Sequence, residues 1–155
     1  MSHHCTLEGC LTKHFSVGEP FKDNYGDWRT LKYTLKSVPP IAMLTLNFRK
    51  DYYKFQGNYV AQKNLQKLKF EEELEWSGMN HRLHGVICHS GPDVEYGHYT
   101  CFVRHHDNWF FHNDEKCTQT CFTALKNLVK GGDEYTSYTL LYVNHEWTEA
   151  RSSGC

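Results

Sequence analysis

Two strand-like runs joined by a three-residue turn, HYTCFVRH (98–105), HDN (106–108) and WFFHND (109–114), constrain this chain more than anything else in it. Aromatic and β-branched residues alternate on both sides of a turn too short for a crossover, so the pair is an antiparallel hairpin. A turn centred near Asp107 and Asn108 sets the register. It places His98 opposite roughly residues 115–117, within a pair or two of Asn113 and Asp114. A histidine that opens one strand therefore meets an amide and a carboxylate that close the next. A base needs such a partner to fix its tautomer and ring orientation.

More strands surround the hairpin. RLHGVICH (82–89) precedes it across a Gly- and Pro-containing loop, and YTSYTLLYV (135–143) follows as a last apolar strand. Between them Phe122, Leu125, Leu128 and Val129 recur at helical spacing, so a short amphipathic helix is expected within 117–129. Thr118 or Thr120 would cap it, and Gly131 and Gly132 would end it. Upstream, Leu7, Cys10, Leu11 and Phe15 mark a short helix, and SVGEPFKDNYGDW (16–28) breaks it. TLKYTLK (30–36) reads as a strand. IAMLTLNF (41–48) is a continuous apolar run, expected to be the buried strand of the sheet. RKDYYKFQGNYVAQKN (49–64) reads as a solvated excursion, and alternation resumes at Leu65, Leu68 and Phe70. The order is α+β with an antiparallel sheet, one domain over 5–144, and a flexible tail over 145–155.

Composition narrows the function classes. The formal charge is -1 with acids and bases interspersed, so nucleic acid and anionic membrane are unfavoured partners. No apolar run approaches the roughly 20 residues of a membrane span, and the polar start has no signal-peptide core, which makes cytoplasm or nucleus the expected location. The seven cysteines are odd in number and irregular in spacing, and read as free thiols. HHC at the start, with Cys10 beyond it, fits no closed zinc spacing, so no metal is expected.

RLHGVICHSG, GHYTCFVR, NWFFHNDEKC and YTLLYV, taken in order, resemble the His box of the ubiquitin-specific proteases, the UCH-type cysteine deubiquitinases. TLEGCLTKHFSVGEPF, VPPIAMLTLNF and KNLQKLKFEEELEW (63–76) resemble that family's upstream segments. Asn47 stands where the family has Arg, and Glu71 where it has Pro. The resemblance implies the papain-like fold of those enzymes, here a palm and shortened fingers, with the thumb that carries the Cys box missing. It implies His98 as general base, Asn113 as the orienting residue and Asp114 as the adjacent acid. It implies that the loop 91–97 covers a ubiquitin tail, with Gly91, Gly97, Tyr99 and Trp109 on the substrate side. Ubiquitin and ubiquitinated proteins are then the partners, together with the missing N-terminal half of the domain, and no cofactor is needed. The Asn-x-Gly-Asn-Thr-Cys-Tyr-like Cys box is absent. Cys10 falls mid-helix, and Cys88, Cys101 and Cys117 fall in or beside strands. Cys121, near a helix start, matches no family nucleophile. Two functions follow: the base-carrying part of a deubiquitinase that is inactive alone, or a non-catalytic module that binds ubiquitin or a partner.

Overall fold

The computed structural model describes residues 5–47, 49–55, 58–63, 66–91, 96–130 and 135–146. In chain order the elements are β1 (Cys5–Thr6), α1 (Leu7–Ser16), β2 (Glu19–Lys22), β3 (Trp28–Leu31), β4 (Ile41–Thr45), β5 (Arg49–Phe55), β6 (Asn58–Lys63) and β7 (Leu68–Lys69). Then come β8 (Glu73–Trp76), β9 (Met79–Ser90), β10 (His98–His105), β11 (Asn108–Asn113), β12 (Lys116–Thr120), α2 (Phe122–Lys130) and β13 (Tyr135–Asn144). Among the described residues, no helix is long and apolar enough to cross a membrane.

A seven-stranded sheet in the order β12-β11-β10-β9-β13-β4, with β8 also on β9, forms the body of the molecule. Each of the neighbouring pairs is antiparallel. The central strands are β9 and β13, joined by a long register from Tyr135↔Ser90 to Asn144↔His81. Period-two alternation then sorts side chains onto two faces. Leu44, Leu140, Val86, Phe102 and Phe111 form one row across five strands, and Leu7, Leu74 and Leu125 join the same core. Each fully buried leucine contributes about 1.5–3 kcal/mol. The opposite face carries Met43, Val103, Ile87 and Tyr99 in the open, Met43 at 68% exposure.

Local chemistry explains the ends of the helices and turns. Thr6 caps α1 by accepting from the Gly9 amide at 3.1 Å, and Glu8 lies in the first turn, where the helix dipole favours it. Asp23 organises the β2–β3 turn: its carboxylate accepts from the amides of Tyr25 and Asp27 and from Arg29 Nε, each at 3.0 Å. Gly26 takes the left-handed φ of 85° that closes this turn.

Four expectations are corrected. The strand expected over 30–36 ends at Leu31, because its partner is the segment read as a break, Glu19–Lys22. The run 41–48 holds an edge strand, Ile41–Thr45, which among the described residues pairs only with β13 and buries only Ala42; Phe48 lies outside the described residues. The excursion 49–64 contains the β5–β6 hairpin. The helix expected within 117–129 begins at Phe122, because Lys116–Thr120 pairs with β11 as the sheet's other edge. Thr118 and Thr120 therefore belong to a strand, and Gly131 and Gly132 lie outside the described residues. So does the tail from 147; ahead of it His145 Nε2 meets Glu73 at 2.8 Å.

Candidate active site

The β10–β11 hairpin turns at His106 and Asp107, and its register runs from His105↔Asn108 to Cys101↔His112. His98 begins β10 opposite Ser90 of β9, and Asn113 ends β11. Beyond Asn113 the chain folds back at once into β12, with Asp114 at a left-handed φ of 52°. This reversal turns the Asn113 side chain to the imidazole: His98 Nε2 lies 2.6 Å from Asn113 Oδ1. An amide oxygen only accepts, so Nε2 carries the proton. In the neutral ring the lone pair is then on Nδ1. Asp114 Oδ2 lies 3.8 Å from the same Nε2. The His98 side chain is 43% exposed, so a reacting group can approach it.

The loop base ahead of His98 is held from several sides. Lys63 of β6, itself buried, donates from Nζ to the carbonyls of Gly91 at 2.9 Å and His89 at 3.3 Å. Thr136 donates to the His89 carbonyl at 3.3 Å, and Ser90 Oγ to the His98 carbonyl at 3.4 Å. Gly91 has φ 142°, which a side chain rarely adopts, and a Cβ on Gly97 would strike the His89 ring and the Ser90 carbonyl. The need for glycine at 97 is thus met inside the chain, by its packing on His89. Residues 92–95 of the loop lie outside the described residues. Tyr99 is exposed, its ring 4.8 Å from His89 and 5.8 Å from Tyr138.

Trp109 is a correction. Expected on the substrate side, it is 3% exposed. Its indole N–H donates to Glu72 Oε1 at 2.9 Å, its ring stacks on Phe122, and Arg104 lies over it at 5.9 Å. The physical reason is register: Trp109 points to the same face as the core residue Phe111. It supports the hairpin rather than a ligand. Lys63 and Ser90 are the contributors the sequence did not single out. Lys63 fell near the end of a stretch read as solvated and opened KNLQKLKFEEELEW, matched to the family with no role given to the lysine.

The described thiols are elsewhere. Cys88 is buried, and desolvation pushes it up to about 12. Cys101 is raised by burial and by Cys117. Cys117 is exposed, with Sγ 3.7 Å from His112 Nε2, and Cys121 is exposed ahead of α2. Among the described residues no thiol makes a hydrogen bond to His98, and no three His, Cys, Asp or Glu residues are grouped to hold a metal ion.

Comparison with known proteins places the chain as a whole. The family described as ubiquitin carboxyl-terminal hydrolase matches residues 2–149. Ubiquitin carboxyl-terminal hydrolase 4 of Arabidopsis thaliana is 28% identical over 157 residues, covering 88% of this chain and 42% of that protein. Human ubiquitin carboxyl-terminal hydrolase 3 is 36% identical over 64 residues, 41% of this chain and 11% of that one. In the solved Ubp8-Sgf11-Sgf73-Sus1 SAGA DUB module, one chain shares the fold with a TM-score of 0.63 at 21% identity, over 94% of this chain and 32% of its own. The chain thus spans less than half the length of these relatives. Matched along nearly its whole length, it belongs to the ubiquitin carboxyl-terminal hydrolase family.

Proposed function

We propose that this chain is the base-carrying part of a ubiquitin-specific cysteine protease that hydrolyses the isopeptide bond between the ubiquitin C-terminus and a substrate lysine. The observation that supports it is the His98–Asn113 pair at 2.6 Å, with Nδ1 left to accept a proton at a half-exposed edge. In this reading the nucleophilic thiol comes from a segment outside these 155 residues. Its proton passes to His98 Nδ1 and the thiolate attacks the carbonyl carbon of the ubiquitin terminus. His98 then returns the proton to the departing lysine amine, leaving a thioester. Water, deprotonated by the same ring, hydrolyses that thioester and regenerates the thiol. Asn113 holds the ring, Asp114 is the adjacent acid, and Gly91, Gly97 and Tyr99 shape the path of the tail. The fold works in the cytoplasm or nucleus and needs no cofactor for this chemistry.

A second reading, ubiquitin binding without catalysis, is favoured because, among the described residues, no thiol makes a hydrogen bond to His98. One pair of experiments separates them. The 155-residue chain mixed with a ubiquitin–aminocoumarin conjugate should give no turnover, and thiol-dependent hydrolysis by it alone would overturn the proposed division of the site. Its full-length gene product should hydrolyse the conjugate and lose the activity on His98→Ala. Retained activity in that variant removes His98 as base, and an inactive full-length protein that still binds labelled ubiquitin favours the second reading.

A further inference from the structure

Cys5 and Cys10 sit far from His98 in function, at the start of α1, and their sulfur atoms are 2.8 Å apart. That is about 0.8 Å from the length of a disulfide bond. Their meeting follows from helix geometry. Thr6 is the N-cap of α1, so Cys5 precedes the cap and Cys10 is the fourth residue of the helix. These two positions touch in a capped helix, where they usually hold a pair of apolar side chains. Here the contact that fixes the entry angle of the chain is made by two thiols. Cys5 is also held from the other side, because β1 pairs in parallel with β7 through Cys5↔Leu68. Both thiols line a cavity of about 630 Å³, walled by Leu7, Leu11, Phe15 and Met43.

We propose that Cys5 and Cys10 are a redox modification site: a dithiol that a low-molecular-weight disulfide, such as oxidised glutathione, converts into an intramolecular disulfide. The thiolate of Cys5 attacks one sulfur of the small disulfide, forming a mixed disulfide and releasing one small thiolate. Cys10 Sγ, losing its proton to solvent, then attacks Cys5 Sγ, and the second small thiolate leaves. Two protein thiols are oxidised by two electrons, and one small disulfide is reduced to two thiols. Burial, with Cys5 beside it, pushes the Cys10 thiol up to about 11; the balance is the same whichever sulfur attacks first, because the two meet at 2.8 Å. The bond ties β1 to the first turn of α1 without moving either element far. The site is independent of the deubiquitinating reading, since neither sulfur touches His98 or Asn113.

The test uses the 155-residue chain in glutathione buffers of graded composition, quenched with iodoacetamide and digested with trypsin. Both cysteines fall on the peptide that ends at Lys13, and no other cysteine does. The expected product is that peptide lighter by two hydrogens and closed to alkylation. The folded chain should reach it at a ratio of oxidised to reduced glutathione at least about tenfold lower than the urea-unfolded chain, because the fold raises the local thiol concentration. In Cys10→Ser the mixed disulfide on Cys5 should accumulate instead. Full alkylation of both cysteines after oxidation, pairing of either with a cysteine on another peptide, or equal ratios for folded and unfolded chain would each overturn the proposal.

Discussion

Replacing Asn113 with alanine removes the acceptor that holds the proton on His98 Nε2, and the effect is measurable without any enzymatic turnover. The bond is short, 2.6 Å, but the imidazole is 43% exposed, so water competes for it. A net hydrogen bond of this kind stabilises its arrangement by about 0.5–1.5 kcal/mol. At about 1 kcal/mol the ratio of Nε2–H to Nδ1–H tautomer falls about fivefold, and the full range corresponds to about twofold to thirteenfold. Long-range nitrogen–proton correlation spectra of the His98 ring, recorded where it is neutral, read this ratio directly. The native chain should be dominated by the Nε2–H form and Asn113→Ala should move toward Nδ1–H. Asn113→Asp, which keeps an acceptor in place, should not. If the native ring carries its proton on Nδ1, or the alanine variant leaves the ratio unchanged, the lone pair does not face an incoming thiol. The assignment of His98 as base then fails.

Three further outcomes test the fold and its charges. Leu140→Ala opens a gap between Leu44 and Val86 in the five-strand row and should cost about 2–5 kcal/mol, seen as a lower urea midpoint with unchanged slope; a loss under about 1 kcal/mol contradicts the packing. Gly97→Ala drives a methyl group into the His89 ring and the Ser90 carbonyl, and a cost of about 1–3 kcal/mol in thermal melts is expected; a neutral result means that the loop base is not packed as described. Cys88 has its pKa raised from 9.0 to about 12 in the folded chain. The unfolded chain therefore ionises first, and stability fully present below about pH 9 falls by up to about 1.4 kcal/mol per pH unit as pH rises toward 12. Cys88→Ala lacks that component. Its deficit relative to the native chain should narrow by about 2 kcal/mol between pH 8 and pH 10.5 in urea titrations, and a constant deficit argues against burial of that thiol.

The site was more legible than the sheet around it. A turn of two or three residues leaves little freedom of register, so the meeting of His98 with Asn113 follows from counting along HYTCFVRHHDNWFFHND. Strand identity failed where burial and periodicity diverge. Ile41–Leu44 is apolar throughout yet lies at an edge, because its exposed side, Met43 above all, belongs to an uncovered face. Arg49–Phe55 and Asn58–Lys63 form a hairpin whose polar, tyrosine-rich sequence reads equally as loop. Cys117–Thr120 shows no pattern that separates a strand from the first turn of the helix beyond it. Trp109 stood beside the site in sequence, but alternation turned it inward. Lys63 acts on the loop base over 26 and 28 residues of chain, a distance at which no local pattern reports a contact.

The place of β13 between β9 and β4 bears on how such a chain is made. The hairpins β9–β10, β10–β11 and β11–β12 each join neighbours in sequence and can close within microseconds of leaving the ribosome. β4 and β9 have no bond to each other until β13, the last of the described strands to be synthesised, slides between them. The two halves of the sheet must wait for it, with the edges of β4 and β9 open in the meantime. Nascent chains stalled before Tyr135 should therefore be the aggregation-prone and chaperone-bound species, while the His98–Asn113 pair, closed over only 15 residues, is already in place.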